Sequence, residues 1–319
     1  MKYLFGPVNS RRLGLSLGVD LVPAKICSFD CIYCEIGPTT ALTVKRGEYS
    51  PTGAIIAELE GYFADLESGR GGLVTPQVIT LTASGEPTLH SGIARIIAYL
   101  KGRTEIPVVV LTNASLLDDP QVRLDLLGAD IVVPSLDAVR PESFAQVNKP
   151  AGPCSDPQRI VEGLIAFAEE FGGSVWLEIL LVEGVNDSEA DIVALAEAAA
   201  RIRPERIQLN TVVRPPALAL ARPLSAVRLQ EIAGRFGDIP VEVVGSFVGQ
   251  GNQVGERTAE EIRAMLQRRP CTLEDVSQAL GLAEETVARL IGELVGAGKI
   301  GETIHDGRKY YQVNKPEKI

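Results

Sequence analysis

Cys27, Cys31 and Cys34 lie in the run Cys27-Ser-Phe-Asp-Cys31-Ile-Tyr-Cys34, separated by three and then two residues. Thiolates this close together are metal ligands before they are anything else. A structural zinc ion takes a closed set of four ligands. An iron–sulfur cube held through three of its irons leaves the fourth open to bind and activate a substrate. The nearest other cysteine is Cys154, far down the chain, and no histidine lies near the run. Three buried thiols, or a zinc site completed from elsewhere, are the plainer alternatives. The vacant fourth position points instead to a catalytic cluster.

Such a loop needs a scaffold, and the chain supplies a repeating one. Apolar, β-branched runs at Val78 to Leu81, Val108 to Leu111, Ile131 to Val133, Val175 to Val182 and Ile207 to Leu209 predict buried parallel strands. Amphipathic stretches at Thr52 to Glu67, Ile93 to Lys101, Pro157 to Phe171 and Ser188 to Ile202 predict the helices between them. Strand and helix alternating in this way make βαβ units, hence an α/β fold that is doubly wound or a full or partial barrel. In either, reactive groups gather at the C-terminal strand ends. Polar clusters follow these strands at Ser84-Gly-Glu-Pro, Asn113-Ala-Ser, Ser135-Leu-Asp and Asn186-Asp.

Composition narrows the class. The chain has 319 residues, 45% hydrophobic and 23% charged, ordinary for a globular protein of more than one domain. A net charge of −10 argues against sequence-independent adhesion to nucleic acid or anionic membrane, though a local basic patch remains open. The N-terminus lacks the apolar core of a signal peptide, and no run of about 18 apolar residues predicts a membrane span. Five cysteines, three of them clustered, do not make a disulfide framework, so a reducing cytoplasm is expected.

The cysteine run, on a loop after the strand-like Gly18 to Val22 and with Tyr33 just before the third cysteine, resembles the signature of the radical S-adenosylmethionine (SAM) superfamily. The resemblance implies a partial (β/α)6 TIM-like barrel. It also implies a [4Fe-4S] cluster on Cys27, Cys31 and Cys34 whose open iron is chelated by SAM, with Tyr33 beside the adenine. One electron from the reduced cluster would break a carbon–sulfur bond, giving methionine and a 5′-deoxyadenosyl radical that abstracts hydrogen. A reducing donor such as flavodoxin or ferredoxin is implied as a partner. Ser84-Gly85-Glu86-Pro87 resembles the glycine-glutamate-proline stretch whose carbonyls hold the SAM ammonium. Glycine permits close backbone approach there and proline fixes the turn. Thr112, Asn113 and Ser135 match strand-end positions that meet the SAM ribose or carboxylate, with ordinary strand-end capping as the alternative.

Strand parity adds residues. Period two places Trp176, Glu178 and Leu180 on one face, and Gln208 and Asn210 on one face of their own strand. A carboxylate in so apolar a strand needs a polar cavity or a partner. Glu178 and Leu180 are therefore candidates for the cofactor site, and Glu178, Gln208 and Asn210 for its lining. A buried structural network is the alternative. Lys149, Arg214 and the pair Arg11-Arg12 could meet a phosphate or carboxylate, though surface charge is the commoner explanation for each. Cys154 could deliver a hydrogen atom, or be a plain loop cysteine.

Segments at Gly6 to Gly14, Ser135-Leu-Asp-Ala, Asn148-Lys-Pro150, Leu181 to Asp187 and Asn210 to Pro216 are similar to bacterial relatives of the wyosine-base synthase, which modifies guanosine 37 of phenylalanine tRNA. That synthase carries a second cluster on three cysteines N-terminal to the main run, with a lysine that engages pyruvate. Here no cysteine precedes Cys27, Lys2 and Lys25 do not match that lysine's setting, and Cys154 and Cys271 cannot supply three ligands. Radical initiation carries over; the product does not.

Composition shifts in the Gly/Gln/Asn-rich stretch Gly245 to Gly255, which divides the chain into a barrel (1–245), a linker (246–256) and a C-terminal domain (257–319). Helices at Thr258 to Arg268, Thr272 to Leu280 and Ala283 to Val295, with Gly281 in the tight turn, precede a hairpin of Lys299 to Ile304 and Lys309 to Val313. This is the order of a winged helix-turn-helix. Its third helix begins Ala283-Glu284-Glu285, which would repel phosphate, and ten basic residues balance ten acidic ones from Arg257 onward. Docking of RNA, a protein substrate or another subunit is therefore expected ahead of duplex DNA. The function expected is a radical SAM enzyme acting on a tRNA nucleoside, a peptide or a small metabolite. The alternative is an iron–sulfur redox sensor that binds DNA.

Overall fold

The computed structural model describes residues 1–10, 12–70, 73–82, 84–244 and 259–314. The chain opens on a hairpin, β1 (Leu4–Ser10) antiparallel to β2 (Gly14–Asp20). The cysteine loop follows, pinned by the short parallel pair β3 (Ile26–Cys27) and β4 (Ala41–Leu42). Strand and helix then alternate: α1 (Thr52–Glu67), β5 (Val78–Thr82), α2 (Ile93–Arg103), β6 (Val108–Thr112), α3 (Pro120–Leu126) and β7 (Ile131–Pro134). Next come α4 (Pro141–Val147), α5 (Pro157–Glu170), β8 (Ser174–Leu181), α6 (Glu189–Ile202), β9 (Arg206–Thr211), α7 (Ala226–Ala233) and β10 (Val241–Val243).

Among the described residues the main sheet has eight strands in the order β1-β2-β5-β6-β7-β8-β9-β10, parallel from β2 onward. Each new strand joins the same advancing edge. A doubly wound sheet would reverse its order at a switch point, so the topology is that of a barrel left open. Six strand–helix units start at β2, β5, β6, β7, β8 and β9, and β10 adds a further parallel strand. The expected strands and long helices are present to within a few residues at their ends. From sequence, no strand is expected before Gly18; the real β2 begins at Gly14 and β1 precedes it. The Gly6-Pro7 pair and the register shift between Phe5 and Val8 break the alternation that would have marked β1.

The two faces of the sheet differ as a barrel requires. Outward residues such as Ile79, Leu81, Val110, Leu177, Ile179 and Leu209 are fully buried under the helices. Inward residues are apolar at the bottom, where Val78, Val109 and Val133 cluster with Leu111 and Trp176. Higher up they turn polar, with Glu178, Gln208 and Asn210, while on β2 and β5 the hydrogen-bonded pair Ser16 and Thr80 lies level with Val78 and Val109. Glycine is demanded at Gly18 in this wall: a Cβ there would lie 2.0 Å from the Phe5 ring, so only glycine lets Phe5 lie flat on β2.

Beyond the barrel stand α8 (Ala259–Arg268), α9 (Leu273–Leu280), α10 (Glu284–Gly296) and the hairpin β11 (Ile300–His305) and β12 (Arg308–Val313). Thr272 and Asp275 form a reciprocal capping box on α9, and Gly281 ends it in the left-handed region at φ 66°. The hairpin turns through Asp306 and Gly307, both at positive φ, as a primed turn demands. Ile262, Leu266, Val276, Leu280, Val287 and Leu290 form a core of their own. The expected linker, 246–256, lies outside the described residues. Among the described residues no helix is long and apolar enough to cross a membrane.

Candidate active site

The three cysteines lie at the top of the barrel, Cys27 and Cys31 buried and Cys34 partly buried. Burial pushes the Cys27 thiol up to about 11 and Cys31 higher still, because a thiolate without compensation is costly in apolar surroundings. That compensation lies at Lys25, which is 7% exposed. Burial pulls its ammonium down, but Cys34, Cys27 and Cys31 outweigh it and hold the lysine above its ordinary value. Among the described residues no three histidine, cysteine or acidic side chains close on a single ion. A cube takes one thiolate per iron, so its ligands need not meet at a point. Three thiols in the field of one buried cation fit such an anionic group.

The turn Ser84 to Pro87 is clamped against this loop. A Cβ on Gly85 would stand 1.6 Å from the Ile26 carbonyl oxygen, and the Glu86 N–H donates to that same oxygen at 3.1 Å. The Glu86 side chain turns inward. Its Oε1 accepts from the Thr88 N–H (3.0 Å), the Thr88 hydroxyl (2.6 Å) and the Thr112 hydroxyl (2.6 Å), and its Oε2 from the Asn113 N–H (2.8 Å). Burial raises the Glu86 pKa while these donors oppose it. Glu86 and Thr112 thus satisfy each other and fasten the turn to the end of β6. Asn113 reaches the cysteine loop, donating from Nδ2 to Ser28 Oγ at 2.9 Å and lying 3.6 Å from Cys27 Sγ. Ser84 donates to both Asp20 oxygens, from its N–H at 3.1 Å and its hydroxyl at 2.8 Å.

The opposite rim centres on Asp137, which is 2% exposed and passes unnoticed within Ser135-Leu-Asp at sequence level. Its Oδ2 accepts from the Tyr33 hydroxyl and from Asn148 Nδ2 (2.7 Å), and its Oδ1 from the Leu180 N–H (3.0 Å). Burial lifts its pKa to about 6 against those hydrogen bonds. Asn148 also lies 3.5 Å from Cys31 Sγ. Tyr33, Asp137, Asn148 and Cys31 therefore form one connected group. Ser135 bridges β6 to β8, its N–H donating to the Thr112 carbonyl at 2.9 Å and its backbone pairing with Glu178.

Glu178 and Asn210 face inward together, 3.3 Å apart, and Arg12 ion-pairs with Glu178. Gln208 lies within 3.4 Å of Glu242. Several charges differ from expectation. Arg12 is engaged by Glu178 rather than displayed for a ligand, and Arg11 lies outside the described residues. Arg214 is no surface charge: it is 3% exposed and bridges Glu35 (2.9 Å) to Asp275 (3.5 Å). Lys149 is exposed and pairs with Asp30 at 3.1 Å. Cys154 is buried, its thiol 3.3 Å from the Ala151 carbonyl and 3.6 Å from that of Ser28, and burial lifts it to about 11.

The Radical SAM superfamily model matches residues 21–196, from just after β2 into α6. A UPF0026 protein of Methanocaldococcus jannaschii is 31% identical over 321 residues, covering 98% of this chain and 97% of its own. A Brachyspira hyodysenteriae protein named GTPase Obg is 35% identical over 317 residues, and the chain spans 98% of itself but 45% of that protein. Among solved structures, TYW1 with a lysine-pyruvate adduct bound aligns with a TM-score of 0.54 at 18% identity, covering 74% of this chain and 76% of its own; this likeness is one of fold alone. The chain belongs to the radical SAM superfamily. It is an iron–sulfur enzyme whose cofactors are a [4Fe-4S] cluster and SAM.

Proposed function

We propose that Cys27, Cys31 and Cys34 hold the cluster, that Ser84 to Pro87 with Tyr33, Asn113, Ser135, Glu178 and Leu180 frames SAM, and that the radical acts on a substrate inside the barrel. Once bound, the two cofactors supply a one-electron cleavage of SAM to methionine and a 5′-deoxyadenosyl radical. The protein's own residues then have three tasks. Glu86 locks the turn so that its backbone keeps one shape. Asp137 holds Tyr33 and Asn148 beside Cys31. The apolar floor of Val78, Val109 and Val133 keeps water from below.

The observation that carries this is the fit of Gly85 against Ile26, which fixes the turn beside the residue preceding Cys27. Residues 1–245 act as the catalytic barrel and 257–319 as a winged helix-turn-helix. Helix α10 carries Glu284 and Glu285 in its first turn, which supports a docking role for that domain over duplex reading. A nucleoside in tRNA is the proposed substrate class, supported by the resemblance of Gly6 to Gly14, Asn148-Lys-Pro150 and Asn210 to Pro216 to relatives of the wyosine-base synthase.

Reconstituting the protein anaerobically with iron and sulfide, then adding dithionite and SAM, is expected to yield 5′-deoxyadenosine, and Cys31→Ala to yield none. A cluster that forms without deoxyadenosine would falsify the radical reading. Modified nucleosides in bulk tRNA from strains with and without the gene are expected to differ; identical profiles would remove tRNA as substrate.

A further inference from the structure

A cavity of about 190 Å³ occupies the barrel interior, walled by Ser16 and Thr80, by Glu35 just after the third cysteine, and by Met265 and Arg268 of α8. A second cavity, of about 350 Å³, shares Glu35, Arg268 and Arg269 with it and extends past Pro215 and Gln312. Arg268 therefore stands at the neck between an inner chamber and an outer one. Resting on the assignment above, we propose that these cavities are the substrate pocket, and that Arg268 of the C-terminal domain anchors an anionic group of the substrate, a phosphate or a carboxylate.

The case rests on which cations around the neck already have partners. Arg12 is matched by Glu178, Arg214 by Glu35 and Asp275, and Arg269 by Glu35 at 3.4 Å. Arg268 has no ion pair among the described residues, and its Nε is buried without a hydrogen-bond acceptor. Its guanidinium lies 3.9 Å from the centroid of the Phe5 ring, which Gly18 in turn holds flat against β2.

The two carboxylates in range are committed elsewhere. Asp20 accepts twice from Ser84, and Glu58 accepts the N–H groups of Lys2 (2.7 Å), Tyr3 (3.1 Å) and Leu4 (3.2 Å). Burial holds the guanidinium below its ordinary value, and these two carboxylates oppose the shift without reversing it. A planar, partly desolvated fork fixed on an aromatic ring and short of acceptors suits a bidentate anion. Stacking on Phe5 alone would explain the position of Arg268 but leave its buried Nε unsatisfied.

The test is calorimetric titration of the reconstituted, unreduced full-length enzyme with SAM present to occupy the cofactor site. One arm uses inorganic phosphate and the other succinate. At least one is expected to bind saturably at one site. Arg268→Met, which keeps the apolar stem over Phe5, should lower that affinity about tenfold or more. Arg268→Lys, which keeps the charge without the fork, should fall between, and Arg289→Met on the exposed face of α10 should match wild type. The arm that responds names the anion. No saturable binding in either arm, or equal binding by Arg268→Met, overturns the proposal. Anion binding needs no turnover, so binding without deoxyadenosine formation would sink the radical reading and leave this one. Deoxyadenosine formation without anion binding would do the reverse.

Discussion

At the scale of single residues, the candidate site is built from side chains that satisfy one another and so leave backbone groups in fixed positions. Glu86 is the clearest case. The family resemblance places it in the SAM-binding stretch, and the structure shows its carboxylate consumed by Thr88, Thr112 and Asn113. Its proposed contribution is thus a rigid turn rather than a direct contact. Gly85 sets the tolerance of that turn. A methyl group there would meet the Ile26 carbonyl, which as backbone cannot step aside. Gly85→Ala is expected to cost about 1–3 kcal/mol of stability and to weaken SAM binding about tenfold or more, read by thermal unfolding and SAM titration. Wild-type affinity in a folded Gly85→Ala protein would remove the turn from the SAM site.

At the scale of elements, the segment from Pro87 to α2 shows how a polar group buried beneath the turn shapes pH response. His90 is fully buried, lies 2.7 Å from the Ser50 carbonyl through Nε2, and accepts the Gly92 N–H at Nδ1 (3.1 Å). This is the neutral tautomer that donates from Nε2, and a second proton would abolish the Nδ1 acceptor. Burial accordingly lowers its pKa below 6.5, with the Ser50 carbonyl opposing. With a depressed folded-state pKa, the unfolded chain binds the proton first. The stability is therefore fully present above pH 6.5 and lost as pH falls through the folded value. Denaturant unfolding between pH 8 and 5 should show this loss, and His90→Gln should flatten it. The chain has two histidines, so imidazole NMR can follow His90 directly; titration at its ordinary value would refute the argument.

At the scale of the whole molecule, the C-terminal helices seat on the barrel through a few long-range contacts. Asn9 Nδ2 donates to the Gln278 carbonyl at 2.7 Å, and the Tyr310 hydroxyl donates to the Val213 carbonyl at 2.9 Å. Arg214 joins Asp275, which completes the capping box of Thr272 on α9, to Glu35 next to Cys34. Removing this buried cation leaves two carboxylates facing each other. Arg214→Met is expected to destabilise the full chain by about 2–4 kcal/mol, discounted because Glu35 is a third exposed. Denaturant unfolding of Arg214→Met, Asp275→Asn and the double variant would show the coupling. Additive effects would mean that this bridge does not tie the two parts together.

The cysteine spacing, the strand and helix periods, the parity that turns Glu178 and Asn210 inward and the order of C-terminal elements were all legible from sequence. Each is a local pattern, complete within about ten residues, and backbone geometry converts such patterns directly into structure. The N-terminal strand escaped because a glycine-proline pair interrupts its pattern. The partners of the charges were decided only by the tertiary structure. Lys25 among the thiols, Asp137 beneath Tyr33, Arg12 on Glu178 and Arg268 over Phe5 each depend on segments brought together by strand order and domain seating. Local periodicity carries no record of such pairings. The sequence by itself determined that a radical could be started here; the folded chain decided which residues surround the place where it would act.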